Sequence, residues 1–92
     1  MDDVAIPIEE LVSFPSQFVF KAVGHHTVEF SRTCLQVVQR AFGDERKIEL
    51  RTRLSSKAAY LSVTLTTKVE SADELRAAYT ALRGVEGVIT VL

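Results

Sequence analysis

Two short stretches of this chain carry most of the side chains with chemistry to offer. SSKAAYLSVTLTT, Ser55 to Thr67, places two hydroxyls and an ammonium, Ser55, Ser56 and Lys57, in a turn, then runs on as a strand in which Tyr60, Ser62, Thr64 and Thr66 alternate with apolar residues. Hydroxyl donors beside a cation suit an anionic group. Strand alternation puts Lys21, Arg51 and Arg53 on the same sheet face as Ser62, Thr64 and Thr66, a set able to bind an anionic metabolite or a partner protein. Taken singly, each of these residues is equally an ordinary turn residue or part of a solvated face.

The second stretch is GHHT, Gly24 to Thr27, where a strand hands over to a helix. Backbone N–H groups at a helix start can hold a carboxylate whatever the side chains. Together with Lys21, it is the expected small-molecule pocket. His25 and His26 are adjacent and lack Cys, His or carboxylate partners at zinc-site spacing, so they read as exposed loop histidines and no metal is expected. Cys34 sits in an apolar helical stripe with no base to make a thiolate, which suits a core residue. No Ser/His/Asp or paired-carboxylate constellation stands out, so neither an enzyme nor a cofactor is expected.

Four strands and two helices must position these groups. After a short helical lead-in at IPIEELV, within residues 1–15, SQFVFKAV forms the first strand, with Phe18, Phe20 and Ala22 on one face and Val19, Lys21 and Val23 on the other; Gly24 ends it. From Thr27 to Phe42 the period becomes helical, burying Phe30, Cys34, Val37, Val38 and Ala41, and Gly43 and Asp44 close the helix. KIELRTRL alternates as a half-buried strand, with Ile48, Leu50 and Leu54 inward and Glu49, Arg51 and Arg53 outward. A strand from Tyr60 to Val69 follows. Ser71 and Glu74 then form a capping box for a helix that buries Leu75, Ala78, Tyr79 and Leu82, with Gly84 as its left-handed cap and VITVL as a last strand.

The order βαββαβ, in one α+β domain over 1–92, predicts a ferredoxin-like sandwich: a four-stranded antiparallel sheet of order 4-1-3-2 with two helices on one face. At 92 residues there is no room for two cores. A net charge of -1 removes the basic field that generic nucleic-acid binding needs. With neither a basic leader nor a run of apolar residues long enough to span a membrane, the chain is expected in the cytoplasm. Acylphosphatases share this topology, but Arg32 in TVEFSR is out of register with their phosphate loop and the chain has no Asn. RNA-recognition modules stack bases on central-strand aromatics, whereas this central strand presents Ser62, Thr64 and Thr66, with Tyr60 only at its end.

LVSFPSQFVFKAVG, VVQRAFGD, SSKAAYLSVTLT and the terminal GVITVL, in this order and spacing over nearly the whole chain, resemble the YbeD family of small, largely uncharacterised bacterial proteins. The resemblance implies a fold similar to the ACT regulatory domains that bind amino acids, an association with lipoate metabolism, and no known reaction. Such proteins commonly have Gly where Ala58 stands in the Ser-Ser-Lys turn. Glycine adopts a positive φ freely and alanine does not, so the turn is expected either to be reshaped or never to have needed that conformation. Two functions remain. One is a regulatory module with a small-molecule effector held near Lys21, Gly24, His25, His26 and Thr27 at a subunit interface of a homo-oligomer. The other is an adaptor whose open sheet face or edge strand docks a protein partner.

Overall fold

The computed structural model describes residues 12–92; the lead-in expected at IPIEELV lies, but for Val12, outside the described residues. The elements are β1 (Ser16–His25), α1 (Val28–Phe42), β2 (Ile48–Leu54), β3 (Tyr60–Val69), α2 (Ala72–Arg83) and β4 (Val88–Val91). All pairings are antiparallel and the sheet order is β2-β3-β1-β4, the expected ferredoxin-like arrangement with β1 and β3 at its centre.

The central pair runs in unbroken register from Ser16 opposite Val69 to His25 opposite Tyr60. Alternation along both strands sends Phe20, Ala22, Leu61, Val63, Leu65 and Val69 under the helices, where they meet Phe30, Cys34 and Val38 of α1 and Leu75, Ala78 and Leu82 of α2. Phe20 is fully buried, with its ring edge-on to Tyr79 at 5.2 Å and tilted against Phe42 at 6.3 Å. Burial of this apolar surface is the main force holding the sandwich together. Thr67 also points inward, its hydroxyl donating to the Lys47 carbonyl at 2.8 Å. Burial pushes the Cys34 thiol up to about 11, keeping it protonated and unreactive, as a core cysteine should be.

Several boundaries differ from the sequence reading. β1 continues through Gly24 to His25, because Gly24 still pairs with Leu61 on one side and Val88 on the other, with a register shift between Val23 and Gly24. In α1 the buried stripe is Phe30, Cys34, Val38 and Phe42, while Ala41 is exposed: the larger Phe42 takes the inward position in the last turn. β2 is not half-buried. Ile48 at its start packs against the core, but Leu50 is 36% and Leu54 46% exposed, so the helices cover only the beginning of this edge strand.

The helix ends are also rebuilt. Ser71 caps α2 by accepting the Glu74 N–H, but the Glu74 carboxylate reaches back to the N–H of Glu70 and not that of Ser71, so the capping box closes one residue earlier. Gly84 ends α2 with φ near -86°, a right-handed value, and the left-handed turn falls instead at Gly87, φ 88°, where the chain swings into β4.

The Ser55–Ala58 turn keeps a left-handed residue at Ala58, φ 57°, closed by a bond from Ala58 N–H to the Ser55 carbonyl at 2.9 Å. Both expectations for this position therefore fail: the conformation is required, and an alanine adopts it. Ala58→Gly is expected to stabilise the fold by about 1 kcal/mol, the usual cost of a left-handed Cβ. A denaturant midpoint that rises at unchanged slope would register this.

Candidate functional site

The two stretches singled out in the sequence meet at one end of the sheet, on opposite sides of it. On the open face, the cross-strand rows read Val23–Ser62–Arg53 and Lys21–Thr64–Arg51, with His25 opposite Tyr60. Lys21, Arg53, Ser55, Tyr60 and Ser62 line an open depression of about 400 Å³ whose remaining walls are Val23 and Leu54. Among the described residues no carboxylate lies within ion-pair distance of Lys21 or Arg53. The hydroxyl of Ser55 is held in place by accepting the Tyr60 N–H at 3.1 Å. Two cations with no carboxylate partner among the described residues, three hydroxyl-bearing residues and an apolar wall are the chemistry that a small anion with a short apolar body requires.

Arg51, one row away, is different. Its guanidinium donates to Glu49 at 2.9 Å on the same strand, so its charge is already compensated. Thr64 stands between Lys21 and Arg51 in the ladder, whereas Ser56 and Lys57 are exposed in the turn and do not line this depression. A second depression, of about 440 Å³, lies at the far end and is lined by Lys47, Lys68, Gln17 and Thr67 with Pro15 and Ser16. There Lys68 already faces Glu70 at 3.8 Å, which leaves less free charge for a ligand.

The GHHT stretch does not form a common pocket with Lys21. A cleft of about 450 Å³ does open at the start of α1, bounded by His25, Thr27 and Phe30, but Glu29 and Glu86 also line it. Two carboxylates oppose the anion that the helix start would otherwise attract. Gly24 is a packing residue: a Cβ there would run into the Phe30 ring and come within 2.8 Å of the Gly87 carbonyl. His25 donates its backbone N–H to Gly87, and its ring lies 6.0 Å from that of Tyr60.

His26 ties the start of α1 to the β2–β3 turn. Its N–H donates to the Ala59 carbonyl at 3.1 Å, and its Nδ1 sits 3.0 Å from the Ala58 carbonyl, an acceptor that requires the hydrogen on Nδ1. Thr27 is the N-cap of α1 without a side-chain capping bond. Among the described residues no group of three His, Cys, Asp or Glu is placed to hold a metal ion, and no helix is long and apolar enough to cross a membrane.

One polar cluster escaped the sequence reading. Arg46, in the loop after α1, donates both terminal nitrogens to the Glu74 carboxylate at 3.0 Å, adds a bond to the Lys68 carbonyl at 2.7 Å, and stacks 5.1 Å from the Phe42 ring centre. Its hydrogen-bond partners lie more than twenty positions away, and no local pattern marks them. The two-residue tether from Gln39, whose amide donates to the carbonyls of Gly43 and Arg46, fixes the loop from which Arg46 reaches out.

Comparison with known proteins bears on the family and the fold. A family model described as "Protein of unknown function (DUF493)" matches residues 9–92. A UPF0250 protein of Shewanella sp. (strain ANA-3) is 41% identical over 85 residues, covering 91% of this chain and 93% of that protein. A second, from Shewanella putrefaciens, is 39% identical over the same span. Among solved structures, protein HP0495 from H. pylori matches with a TM-score of 0.75 at 13% identity, over 98% of each chain. The ACT domain from GTP pyrophosphokinase of Chlorobium tepidum matches with a TM-score of 0.62 at 22% identity, over 85% of this chain and 96% of that one. At such identities the structural likeness speaks to fold alone, and it is the ferredoxin-like fold of ACT domains. The model match and the Shewanella sequences go further, and with the YbeD-like segments they place this chain in the DUF493 family of UPF0250 proteins.

Proposed function

We propose that this protein is a non-catalytic module that binds a small anionic metabolite on the open face of its sheet and serves a regulatory role. The observation that carries the reading is the pairing of Lys21 with Arg53 around a depression lined also by Ser55, Tyr60 and Ser62, with no carboxylate among the described residues that line it. Three strands contribute to the depression, so its shape is set by the ladder register and stands ready without rearrangement. The fold it shares with an ACT domain of a GTP pyrophosphokinase is consistent with a sensing part in a larger regulatory system.

The test is a thermal-shift screen of the full chain at fixed concentration against inorganic phosphate, amino acids, nucleotides, octanoate, lipoate and phosphorylated sugars. A ligand that binds only the native state raises its melting temperature by mass action. Lys21→Glu combined with Arg53→Glu is expected to weaken a hit at least about 100-fold, since two favourable charges become two repulsive ones. Arg51→Glu, at a position whose charge Glu49 already compensates, is the control and is expected to change binding by less than about three-fold. A protein partner on the same face is the competing reading, favoured by Val19, 59% exposed beside Lys21. It gains ground if no compound shifts the transition while the double variant loses a partner that the wild type retains.

A further inference from the structure

We infer that two copies of this chain pair with each other through the outer edge of β2, joining their sheets into one. β2 is hydrogen-bonded only to β3 among the described elements. Ser55 N–H donates to the Tyr60 carbonyl, which fixes the phase of the ladder: odd-numbered backbone groups turn toward β3 and even-numbered ones turn outward. The N–H and C=O groups of Ile48, Leu50, Thr52 and Leu54 therefore form a free strand edge. On the same residues, Leu50 and Leu54 hold their side chains 36% and 46% exposed, on the side where the helices stop short. A free backbone edge flanked by uncovered leucines is a surface built for strand pairing.

The side chains of this strand are complementary to themselves. Two copies of β2 related by a twofold axis pair antiparallel, and the outward groups allow a register centred on Leu50. Leu50 then faces Leu50 of the second copy, Ile48 faces Thr52, and Glu49 faces Arg51 in both directions. Every charged residue inside the overlap thus meets its opposite, in the closely spaced pairs of the ladder where side chains interact most strongly. Of the neighbouring registers, the one centred on Ile48 also opposes unlike charges but pairs only the first residue of β2 within the strand, and the others set like charges together. Centring on Arg51 sets Arg51 against itself, centring on Thr52 sets Arg51 against Arg53, and centring on Glu49 sets two carboxylates together. At the end of the favoured ladder Lys47 comes opposite Arg53, but both are long and solvated, so their repulsion is screened. A partner of unrelated sequence would match this order of charges only by chance, and a second copy supplies it by symmetry.

The experiment is sedimentation or light scattering of the full chain from micromolar to millimolar concentration, with three samples beside the wild type. Glu49→Arg sets arginine against Arg51, and Arg51→Glu sets glutamate against Glu49. Each single variant is expected to self-associate at least about ten-fold more weakly than the wild type. An equimolar mixture of the two restores both opposite-charge pairs and is expected to associate within about three-fold of the wild type. Recovery in the mixture also shows that both variants are folded. A wild type that stays monomeric at millimolar concentration overturns the inference, as does a mixture that stays monomeric or single variants that dimerise as tightly as the parent.

Discussion

Gly24→Ala is expected to destabilise the protein by about 3 kcal/mol, near the upper end of what overpacking costs. The methyl group has nowhere to go. On one side it meets the aromatic ring of Phe30, which is itself 2% exposed and wedged into the core, and on the other the backbone carbonyl of Gly87. That carbonyl is already committed to the His25 N–H at 3.0 Å, and Gly24 is paired in the ladder to both neighbouring strands. Neither the ring nor the backbone can move without breaking packing or hydrogen bonds. Chemical denaturation of the variant checks this directly: a loss below about 0.5 kcal/mol would mean that Phe30 is free to swing aside. The double variant Gly24→Ala with Phe30→Leu is expected to recover part of the loss if the ring is the obstacle, because the two sites are in contact and should not be additive.

Arg46→Ala is expected to cost about 2 kcal/mol at neutral pH. The Arg46 side chain is 15% and the Glu74 side chain 24% exposed, so the pair is more sheltered than a surface salt bridge, and removing the arginine takes its donors from the Glu74 carboxylate and the Lys68 carbonyl. Arg46→Lys keeps a charge but loses the fork and the flat contact with Phe42, and should fall in between. The same pair gives stability a pH dependence. The hydrogen bonds from Arg46 hold the Glu74 carboxyl below the usual carboxylate range, against the opposing effect of burial. A carboxyl whose folded value is depressed contributes stability that is complete above its unfolded pKa, about 4.3 for Glu, and is lost as the pH falls through the folded value. The gap between wild type and Arg46→Ala should therefore be wide at pH 7 and narrow in acid below that range. An equal gap at both pH values would show that the arginine acts through Phe42 and the Lys68 carbonyl and not through the carboxylate.

What could be read from the sequence and what could not divide along a physical line. The elements themselves were legible, because alternation in VTLTT and the helical spacing of Phe30, Cys34 and Val38 are properties of consecutive residues. The sheet order followed from chain topology, which leaves few ways to arrange βαββαβ. The exposure of Leu50 and Leu54 was illegible, since it depends on how far the helices extend sideways and not on the pattern within β2. Alternation did put Lys21 on one face with Arg51 and Arg53, but did not show the separation by which His25 and Thr27 line a different cleft. The place of Lys21 beside Arg53 is set by two antiparallel registers, which bring together residues from three strands. The Gly84 cap was read from local spacing, while the need for a left-handed residue arose at Gly87, where the path to β4 is decided.

His26 joins two parts of the chain that lie 32 positions apart, just beyond the last rung of the β1–β3 ladder. The turn it grips, ending at Ala58 and Ala59, borders the depression of Ser55 and Tyr60 on the open side, while the residue after it, Thr27, opens α1 on the other. A turn drawn toward a bound anion must stretch these two bonds or carry the helix start along with it. If the depression holds an anion as proposed, the His26 imidazole and amide are the bonds through which a shift of the turn would reach the start of α1.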